Sequence, residues 1–543
     1  MGVGRVVTRA FGRGPAVAAS VLVLGAYLSV GPTSVAGAAE PTPAISWDAI
    51  DSYLVQARND LGIPGLAFVA VQDGAVARLT AIGEADAKGR AVTPQTPFLL
   101  ASVSKAFTAT AIMQLVDAGK VEIDAPVQRY IPWFTLADAE AAGRLTIRQL
   151  LNQTSGLSTA TGLAYHDTDD QDVGALERGV RNLAGASLQS APGDTYHYSN
   201  ANYDILGEVV QAVSGQPFAT YLEQQIYVPL AMQHSHATKA AAEADAMAAG
   251  FYPWFNAVWS PASIPVPRTG APSATTYSSA EDMGHWLQAN LDGGTYQGVR
   301  IVSEAAMTQM HGSAVEVDEF HSYAMGWQLR PLWETLDPST PSGASGSDQY
   351  ALPVLVEHGG SWPNGHTYVG MIPSWNVGFA LLVNANEPRD EARLGSLEQN
   401  VLRLIAGRDA IPPDPSTDLL AQNAIPVAGI LLLGQVIAAV WAVRVARRRR
   451  NVAEGRMPPS RRRILIGALL ALALDIAILW LFVSYAPGAY DASFTVLVSS
   501  LPDLGLLIVP AVLLAAVWGP IRTVLLTLTA IRQPRGPVAR SAS

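Results

Sequence analysis

The order of hydrophobic and polar positions predicts a hairpin followed by a buried helix in the first third of the sequence. Residues 66–72 and 75–82 are β-rich runs, and the pair Asp73-Gly74 between them is typical of a tight hairpin turn. Residues 106–116 carry apolar side chains at helical spacing, which predicts a helix packed against a core. The two periods together indicate a globular α/β domain.

Later in the sequence the same reasoning predicts further strands and a final helix. The strands are expected at 354–357, 367–372 and 377–383, and the helix at 394–405. Segment 123–190 shows no sustained helical or strand periodicity of its hydrophobic positions. We therefore expect it to be irregular and to pack over a functional site, as long loops of compact domains do.

The last part of the sequence changes to long apolar stretches. Residues 424–443, 464–486 and 504–521 each provide about the 20 apolar residues that a helix needs to span a bilayer. Asp475 lies in the middle of the second stretch, where an acid is unfavourable unless it is functional or hydrogen-bonded to a neighbouring helix. The sequence leaves both roles of Asp475 open.

The expected domain boundaries follow from these patterns. The N-terminal segment has a basic start, an apolar core and the small residues Ala36-Gly37-Ala38, which predicts a secretory signal cleaved after Ala38. A retained membrane anchor is the alternative. A proline-rich stretch indicates a stiff linker. The expected parts are 1–38 signal peptide, 45–410 globular domain, 411–423 linker, 424–532 transmembrane helices and 533–543 cytoplasmic tail.

Charge is distributed unevenly between these parts. Three of the 35 basic residues precede residue 39 and thirteen follow residue 423, whereas only four of the 45 acidic residues lie in those terminal segments, so the middle carries a net charge of −22. Such a charge disfavours nucleic acid as a partner. Arginines cluster at 444–463 and 522–540, and the positive-inside rule makes those segments cytoplasmic. We expect a multi-pass cell-membrane protein with an extracytoplasmic globular domain.

The sequence predicts no metal ion or other cofactor. It has no cysteine, which excludes disulfides and thiolate ligands. The acidic run 167–172 lacks the ligand alternation and glycine of a calcium loop. His234 and His236 lack a nearby third ligand and are interpreted as surface residues.

The segment Ser102-Val103-Ser104-Lys105 is the first candidate for catalytic chemistry. Positions i and i+3 share one face of a helix, so Ser102 and Lys105 are expected to touch. A serine hydroxyl needs an adjacent proton acceptor to become a nucleophile, and a lysine can accept the proton only when burial keeps it neutral. A Ser-x-x-Lys spacing also occurs by chance in helices, so this motif alone does not identify an enzyme.

Two later segments carry polar groups suited to the same chemistry. Tyr198 and Asn200 can both point into one cleft, the phenol to relay protons and the amide to bind a substrate carbonyl. They can equally begin the following helix without a catalytic role. The segment His358-Gly359-Gly360-Ser361 follows a predicted strand, and its glycines allow a substrate backbone to approach closely.

These three motifs, in this order, resemble the penicillin-recognising serine hydrolases, which include class C β-lactamases, D-alanyl-D-alanine carboxypeptidases and related esterases. The resemblance covers about residues 45–410. It implies a β-lactamase/transpeptidase-like α+β domain, with an antiparallel sheet flanked by helices and a helical subdomain, ahead of the all-α three-helix membrane domain. It also implies site roles: catalytic Ser102, Lys105 and Tyr198, and substrate-binding Asn200, His358, Gly359, Gly360 and Ser361.

The resemblance narrows the function without naming the substrate. By similarity, Ser102 is the acylated nucleophile, and the backbone N–H groups of Ser102 and Ser361 form the oxyanion hole. β-Lactamases of the family usually carry lysine at the position of His358. The replacement of this lysine by histidine is seen in the carboxypeptidase and esterase branches. We therefore expect a serine hydrolase that acts on small D-amino-acid-containing peptides, amides or esters.

The arrangement of domains keeps further alternatives open. A secreted hydrolase domain ahead of three transmembrane helices is similar to membrane-bound peptidases that remove an N-acyl-D-amino-acid prodrug cap, such as the colibactin-maturing peptidase. A true β-lactamase is one alternative, and a β-lactam or peptidoglycan sensor that signals through its helices is another. The expected partners are the small substrate and the lipid bilayer, and the sequence identifies no protein partner.

Overall fold

The computed structural model describes residues 42–531 apart from 166, 319, 333–335, 337–352, 389–390, 413–418 and 451–459. The expected signal segment, part of the expected linker and the expected tail lie outside the described residues.

An eight-stranded antiparallel sheet forms the centre of the globular domain, in the order β2-β1-β14-β13-β12-β11-β10-β9. Its strands are β1 (Gly65–Gln72), β2 (Ala75–Gly83), β9 (Val315–Glu316), β10 (Ser322–Ala324), β11 (Trp327–Pro331), β12 (Val354–Trp362), β13 (Gly365–Ile372) and β14 (Val377–Val383). The short strands β3 (Phe98–Leu99), β4 (Phe251–Trp254), β5 (Val258–Pro261), β6 (Tyr277–Ser278), β7 (Thr295–Tyr296) and β8 (Val299–Arg300) pair outside it.

The predicted hairpin and the predicted final strands are confirmed. Strands β1 and β2 pair directly, and Asp73 and Gly74 have φ values of 53° and 77°, as a two-residue hairpin turn requires. The strand predicted at 354–357 is longer than expected, because β12 continues through the His-Gly-Gly segment to Trp362 and pairs with β13 along that length.

The helices of the globular domain are α1 (Trp47–Leu61), α2 (Ser104–Asp117), α3 (Ala139–Arg144), α4 (Ile147–Leu151), α5 (Thr159–Leu163), α6 (Ala175–Asn182), α7 (Asn200–Ser214), α8 (Phe218–Leu222), α9 (Lys239–Ala244), α10 (Ala280–Leu291), α11 (Glu304–Met310) and α12 (Glu391–Ile405). The expectation that 123–190 is irregular was wrong, because α3 to α6 lie there. These helices have five to eight residues, so each is too short for a helical period to stand out in the sequence.

Strand β1, next to the edge strand β2, lies between two layers of the hydrophobic core. Its residues Leu66, Phe68 and Ala70 face one layer, which also contains buried residues of α1 and α12. Ala67, Val69 and Val71 face the other layer, which contains α2, α7 and α10. This alternation follows from the period of two along a strand. Helix α2, which follows the candidate nucleophile, is thus held in the larger layer.

In the described part of the chain after the globular domain, three helices are long and apolar enough to cross a membrane. We call them M1 (Ala421–Arg447), M2 (Arg461–Ala489) and M3 (Pro502–Ile531). M2 contains a π-helical turn over Trp480–Tyr485, and the short helix Phe494–Ser500 lies between M2 and M3.

Asp475 forms a buried polar network with groups of the other two membrane helices. Its carboxylate accepts hydrogen bonds from Arg522 of M3 and Gln435 of M1, each at 2.5 Å. Arg522 also donates to the Ala471 carbonyl oxygen of M2 at 3.0 Å. The sequence left two roles open for Asp475, and the structure shows one of them, the hydrogen bonding to neighbouring helices. Arg522 was expected to follow the third span, but it lies inside M3 and is fully buried.

Candidate active site

Ser102 lies in a tight turn where β3 leads into α2. Residues Ala101–Val103 form a single 3₁₀ turn, and α2 begins at Ser104, so Ser102 precedes the α-helix and is not in its first turn. Pairing of β3 with β6 and a hydrogen bond from the Leu100 N–H to the Thr276 carbonyl oxygen, at 2.9 Å, hold the turn. Ala101 has a φ of 45°, a left-handed conformation that is unfavourable for a residue with a Cβ.

Lys105 is fully buried and contacts the candidate nucleophile. Its Nζ atom lies 3.2 Å from the Ser102 Oγ atom and donates to the Asn200 Oδ1 and Ser273 carbonyl oxygens, each at 2.7 Å. Burial lowers the pKa of Lys105 to about 7, and the charge of Asp204 opposes the shift. The oxygen atoms that accept hydrogen bonds from Lys105 are neutral. They stabilise its positive charge less than a contacting carboxylate would. Lys105 can therefore be neutral near pH 7.

Asp204 lies close enough to Lys105 to affect it, but the two groups make no direct ion pair. Burial raises the pKa of Asp204 to about 7, against hydrogen bonds from Tyr165 and Ser273 and the charge of Lys105. The Tyr165 hydroxyl donates to the Asp204 carboxylate and lies 3.3 Å from the Ser273 hydroxyl oxygen. Ser273 in turn accepts a hydrogen bond from Lys105 through its carbonyl oxygen. This network connects the two titratable groups through the neutral backbone and side chain of Ser273 and the Tyr165 hydroxyl.

The hydroxyl of Tyr198 is buried and lines the same cavity as Ser102. The Lys105 Nζ atom lies 4.7 Å from the centre of the Tyr198 ring. Burial raises the pKa of Tyr198 above its usual range, and the neighbouring Ser102 opposes part of the rise. Among the described residues, no partner makes a hydrogen bond of normal geometry with this hydroxyl. Tyr198 is thus a protonated phenol at neutral pH, with its O–H group next to Ser102.

His358 is completely buried on β12, behind the cavity. Its Nδ1–H donates to the Gly359 carbonyl oxygen at 2.7 Å, and its Nε2 lies 3.5 Å from the Tyr323 hydroxyl. Burial lowers the pKa of His358 to about 3, and the charge of Lys105 adds to the shift. His358 is therefore neutral at physiological pH. Its predicted contact with substrate remains a prediction.

The segment after His358 brings β12 against the Ser102 turn. A side chain at Gly360 would collide with the carbonyl oxygen of Leu100, so only glycine fits there. The next residue, Ser361, is exposed and lines the cavity together with Ser102, Tyr198 and Asn200. The structure thus brings four of the predicted site residues to one cavity wall, with Lys105 directly behind them.

Three residues near this site were not predicted from the sequence: Tyr165, Asp204 and Ser273. Asp204 was detectable in principle, because it is an acid within the apolar helical run 201–210. Tyr165 and Ser273 lie in non-repetitive segments, and only the folded chain brings them to Asp204. His234 and His236 were interpreted as surface residues, but both are partly buried and contact the Asp245 carboxylate, at 2.9 and 2.8 Å.

Comparisons with known proteins agree with this architecture. Residues 50–402 match the family described as Beta-lactamase. Protein flp of Staphylococcus aureus (strain COL) is 27% identical over 339 residues, which are 60% of each chain. Penicillin-binding protein 4 of Amycolatopsis lactamdurans is 28% identical over 335 residues, which are 60% of this chain and 82% of that protein. The match thus spans less than two thirds of the length of protein flp.

Two solved structures share the fold of the globular domain. The octameric penicillin-binding protein homologue from Pyrococcus abyssi has a TM-score of 0.52 at 23% identity, over 67% of this chain and 78% of that chain. D-alanine carboxypeptidase AmpC from Burkholderia cenocepacia has a TM-score of 0.51 at 24% identity, over 66% of this chain and 98% of that chain. With a family match over more than half of its length, the chain belongs to the beta-lactamase family, whose members are serine hydrolases and acyl-transferases.

Proposed function

We propose that the protein is a membrane-anchored serine hydrolase that acts through an acyl-enzyme on Ser102. The observation that carries this proposal is the 3.2 Å contact between the Ser102 Oγ atom and the Lys105 Nζ atom, in a site that lowers the pKa of Lys105 to about 7. A neutral lysine at hydrogen-bond distance is a competent proton acceptor for a serine. The substrates proposed are D-amino-acid-containing peptides or amides, or esters.

The reaction has two steps. Ser102 Oγ attacks the substrate carbonyl carbon while its proton passes to Lys105, and the backbone N–H groups of Ser102 and Ser361 stabilise the oxyanion. The bond to the amine or alcohol breaks, and the Tyr198 phenol donates a proton to that leaving group and regains one from Lys105. Water then attacks the Ser102 ester, releasing the carboxylic acid and free Ser102. Asn200, whose side-chain oxygen accepts from Lys105, is proposed to orient the substrate.

His358 supports esters and D-configured amides over β-lactams. A neutral histidine, buried behind the cavity, does not provide the full-time cation that a β-lactam carboxylate would bind. The loss of one charge-assisted hydrogen bond corresponds to about 1.5 to 3 kcal/mol. That difference changes the substrate preference without preventing acylation.

A fluorophosphonate probe and intact-mass analysis test this proposal. Wild-type protein is expected to gain one probe mass at Ser102, and Ser102→Ala to lose both labelling and turnover, by about 10⁴-fold or more. The same mass analysis after incubation with a penicillin, a D-Ala-D-Ala peptide, an N-acyl-D-Asn peptide and a short ester identifies the substrate class. An acyl adduct that never turns over with any substrate would support the sensor, and fast β-lactam turnover would support a β-lactamase. Labelling elsewhere in Ser102→Ala would refute the site.

The charge at the ends of the membrane helices supports an extracytoplasmic active site. The catalytic domain contacts the ends of M1, M2 and M3 that lack arginine. Arg444 and Arg447 lie at the opposite end of M1, and Arg461 to Arg463 lie at the opposite end of M2. A protease added to intact cells should therefore cleave the domain before Ala421, and a reporter after Ser543 should be cytoplasmic. An external reporter would reverse this topology.

A further inference from the structure

The cavity at Ser102 extends out of the globular domain and reaches the membrane helices. It has a volume of about 430 Å³. Ser102 and Tyr198 line one end, and Ala424 of M1, Ala486 of M2 and Leu504 of M3 line the other. The globular domain alone therefore does not enclose the candidate active site.

The membrane wall of this cavity, formed by M1, M2 and M3, is apolar, and the segment between M2 and M3 adds the hydroxyl-bearing residues Tyr490 and Ser500 at its border. M1, M2 and M3 contribute only alanine, valine, leucine, isoleucine and phenylalanine side chains to it. These side chains of M1, M2 and M3 include no group that could pair with a polar ligand. A peptide segment would bring backbone N–H and C=O groups that must be hydrogen-bonded when buried, and the side chains of M1, M2 and M3 could not satisfy them. A hydrocarbon chain makes no such demand and is the chemistry that this wall accommodates.

Polar contacts fix the membrane wall against the globular domain. Asp491, between M2 and M3, accepts a hydrogen bond from the Ala160 N–H at 3.1 Å, next to the cavity-lining Thr159. Asp503, in the first turn of M3, accepts from the Tyr252 hydroxyl at 2.8 Å and from the Phe255 N–H at 2.7 Å. The distance from Ser102 to the apolar wall is therefore set by the fold.

We propose that the cavity binds the hydrocarbon chain of an amphiphilic substrate, with the scissile carbonyl at Ser102 and the chain against M1, M2 and M3. This inference rests on the proposed hydrolase activity and adds a substrate class to it: a carboxylic ester or amide with one long acyl chain. The membrane helices then determine specificity as well as anchoring the enzyme. Because the wall consists of the outer ends of these helices, the chain can enter directly from the lipid.

A series of p-nitrophenyl esters tests the inference on full-length protein in lipid nanodiscs. The leaving group is constant from acetate to octanoate, so differences in kcat/KM report on the acyl chain. Each methylene buried from water is expected to raise kcat/KM by up to about fourfold until the cavity is filled. The chain also partitions into the nanodisc, but this uptake is the same for every variant, so the octanoate-to-acetate ratio is compared between variants.

Two substitutions fill the membrane end of the cavity, and one serves as a matched control. Ala424→Phe on M1 and Ala486→Phe on M2 are each expected to lower the octanoate-to-acetate ratio about tenfold, the effect of losing about two methylene contacts. Ala477→Phe makes the same change on M2, at a residue that is exposed on the helix surface and does not line the cavity. Its ratio should equal that of the wild type.

The outcomes separate this inference from the proposed function. If a short fluorophosphonate does not label wild-type Ser102 and no ester is hydrolysed, the hydrolase proposal fails and the chain-binding inference fails with it. If Ser102 is labelled and acetate is hydrolysed, but the ratio is the same in wild type and both cavity variants, only the chain-binding inference is overturned. An equal fall in Ala477→Phe would also overturn it, because the effect would then not depend on the cavity.

Discussion

Among the described residues, a buried opposite-charge pair in the membrane helices and another in the globular domain are built differently. In the membrane helices, Arg522 and Asp475 are in direct contact at 2.5 Å. In the globular domain, Lys105 and Asp204 interact at a distance, and the contacts of Lys105 are with neutral oxygens. Arginine keeps its charge at all physiological pH values, whereas a buried lysine can lose it. The first pair suits a permanent structural link, and the second suits proton transfer.

Removal of the lysine is expected to give the largest effect on activity. Lys105→Ala should lower kcat/KM by about 10⁴-fold, the upper end for a positioned proton acceptor. The thermal unfolding midpoint should change little, because the variant also removes a buried charge. Steady-state rates and thermal unfolding of the full-length protein check this. Lys120→Ala, at an exposed position, is the control. A Lys105→Ala enzyme within tenfold of wild type would rule out lysine as the base.

Removal of one partner of the membrane pair is expected to act on stability. Asp475→Leu leaves Arg522 buried without a counter-charge, which should reduce the free energy of unfolding by about 3 to 5 kcal/mol. The double variant Asp475→Leu/Arg522→Leu should recover most of that loss. Thermal unfolding in one detergent compares the three proteins. If the double variant is no more stable than the single one, the pair is not the source of the stability.

A smaller effect is expected on the pH dependence of catalysis. Wild-type kcat/KM should rise with pH through about pH 7, because Lys105 has a pKa of about 7 and accepts a proton only when neutral. The Asp204 carboxylate stabilises the lysine cation, so Asp204→Asn should lower the pKa of Lys105 and move this rise about one unit towards acid.

Glu208→Gln provides the matched control for that profile. Glu208 lies one turn further along α7, and its charge interactions are with Glu177 and Arg181. The pH profile of kcat/KM for Glu208→Gln should therefore coincide with that of the wild type. A rise that moves towards alkaline pH in Asp204→Asn, or does not move at all, would contradict the electrostatic coupling between Asp204 and Lys105.

The sequence was informative where a local pattern determines a contact. Lys105 follows Ser102 by three positions, so one turn of the chain brings the two side chains together independently of distant parts of the fold. The hairpin at Asp73-Gly74 was predictable for the same reason. The antiparallel sheet followed from the family resemblance, since the pairing of β1 with β14 joins residues more than 300 positions apart.

Contacts between distant segments could not be read in this way. No spacing in the sequence connects Asp204 with Tyr165, or Asp475 with Arg522, because each pair is joined by packing of separate helices and loops. The hydrophobic pattern also identified the membrane helices without indicating which of their side chains would face Ser102. An apolar residue against lipid and one against a cavity look the same in a sequence.

The left-handed turn at Ala101 suggests a way in which stability and activity can diverge. A residue with a Cβ is strained at a φ of 45°, and glycine is not, so Ala101→Gly should relieve strain in the folded state. The same change frees the backbone directly before Ser102, which must hold its hydroxyl against Lys105. Selection for thermal stability alone would favour glycine at this position, and retention of alanine would then measure how strongly selection acts on turnover.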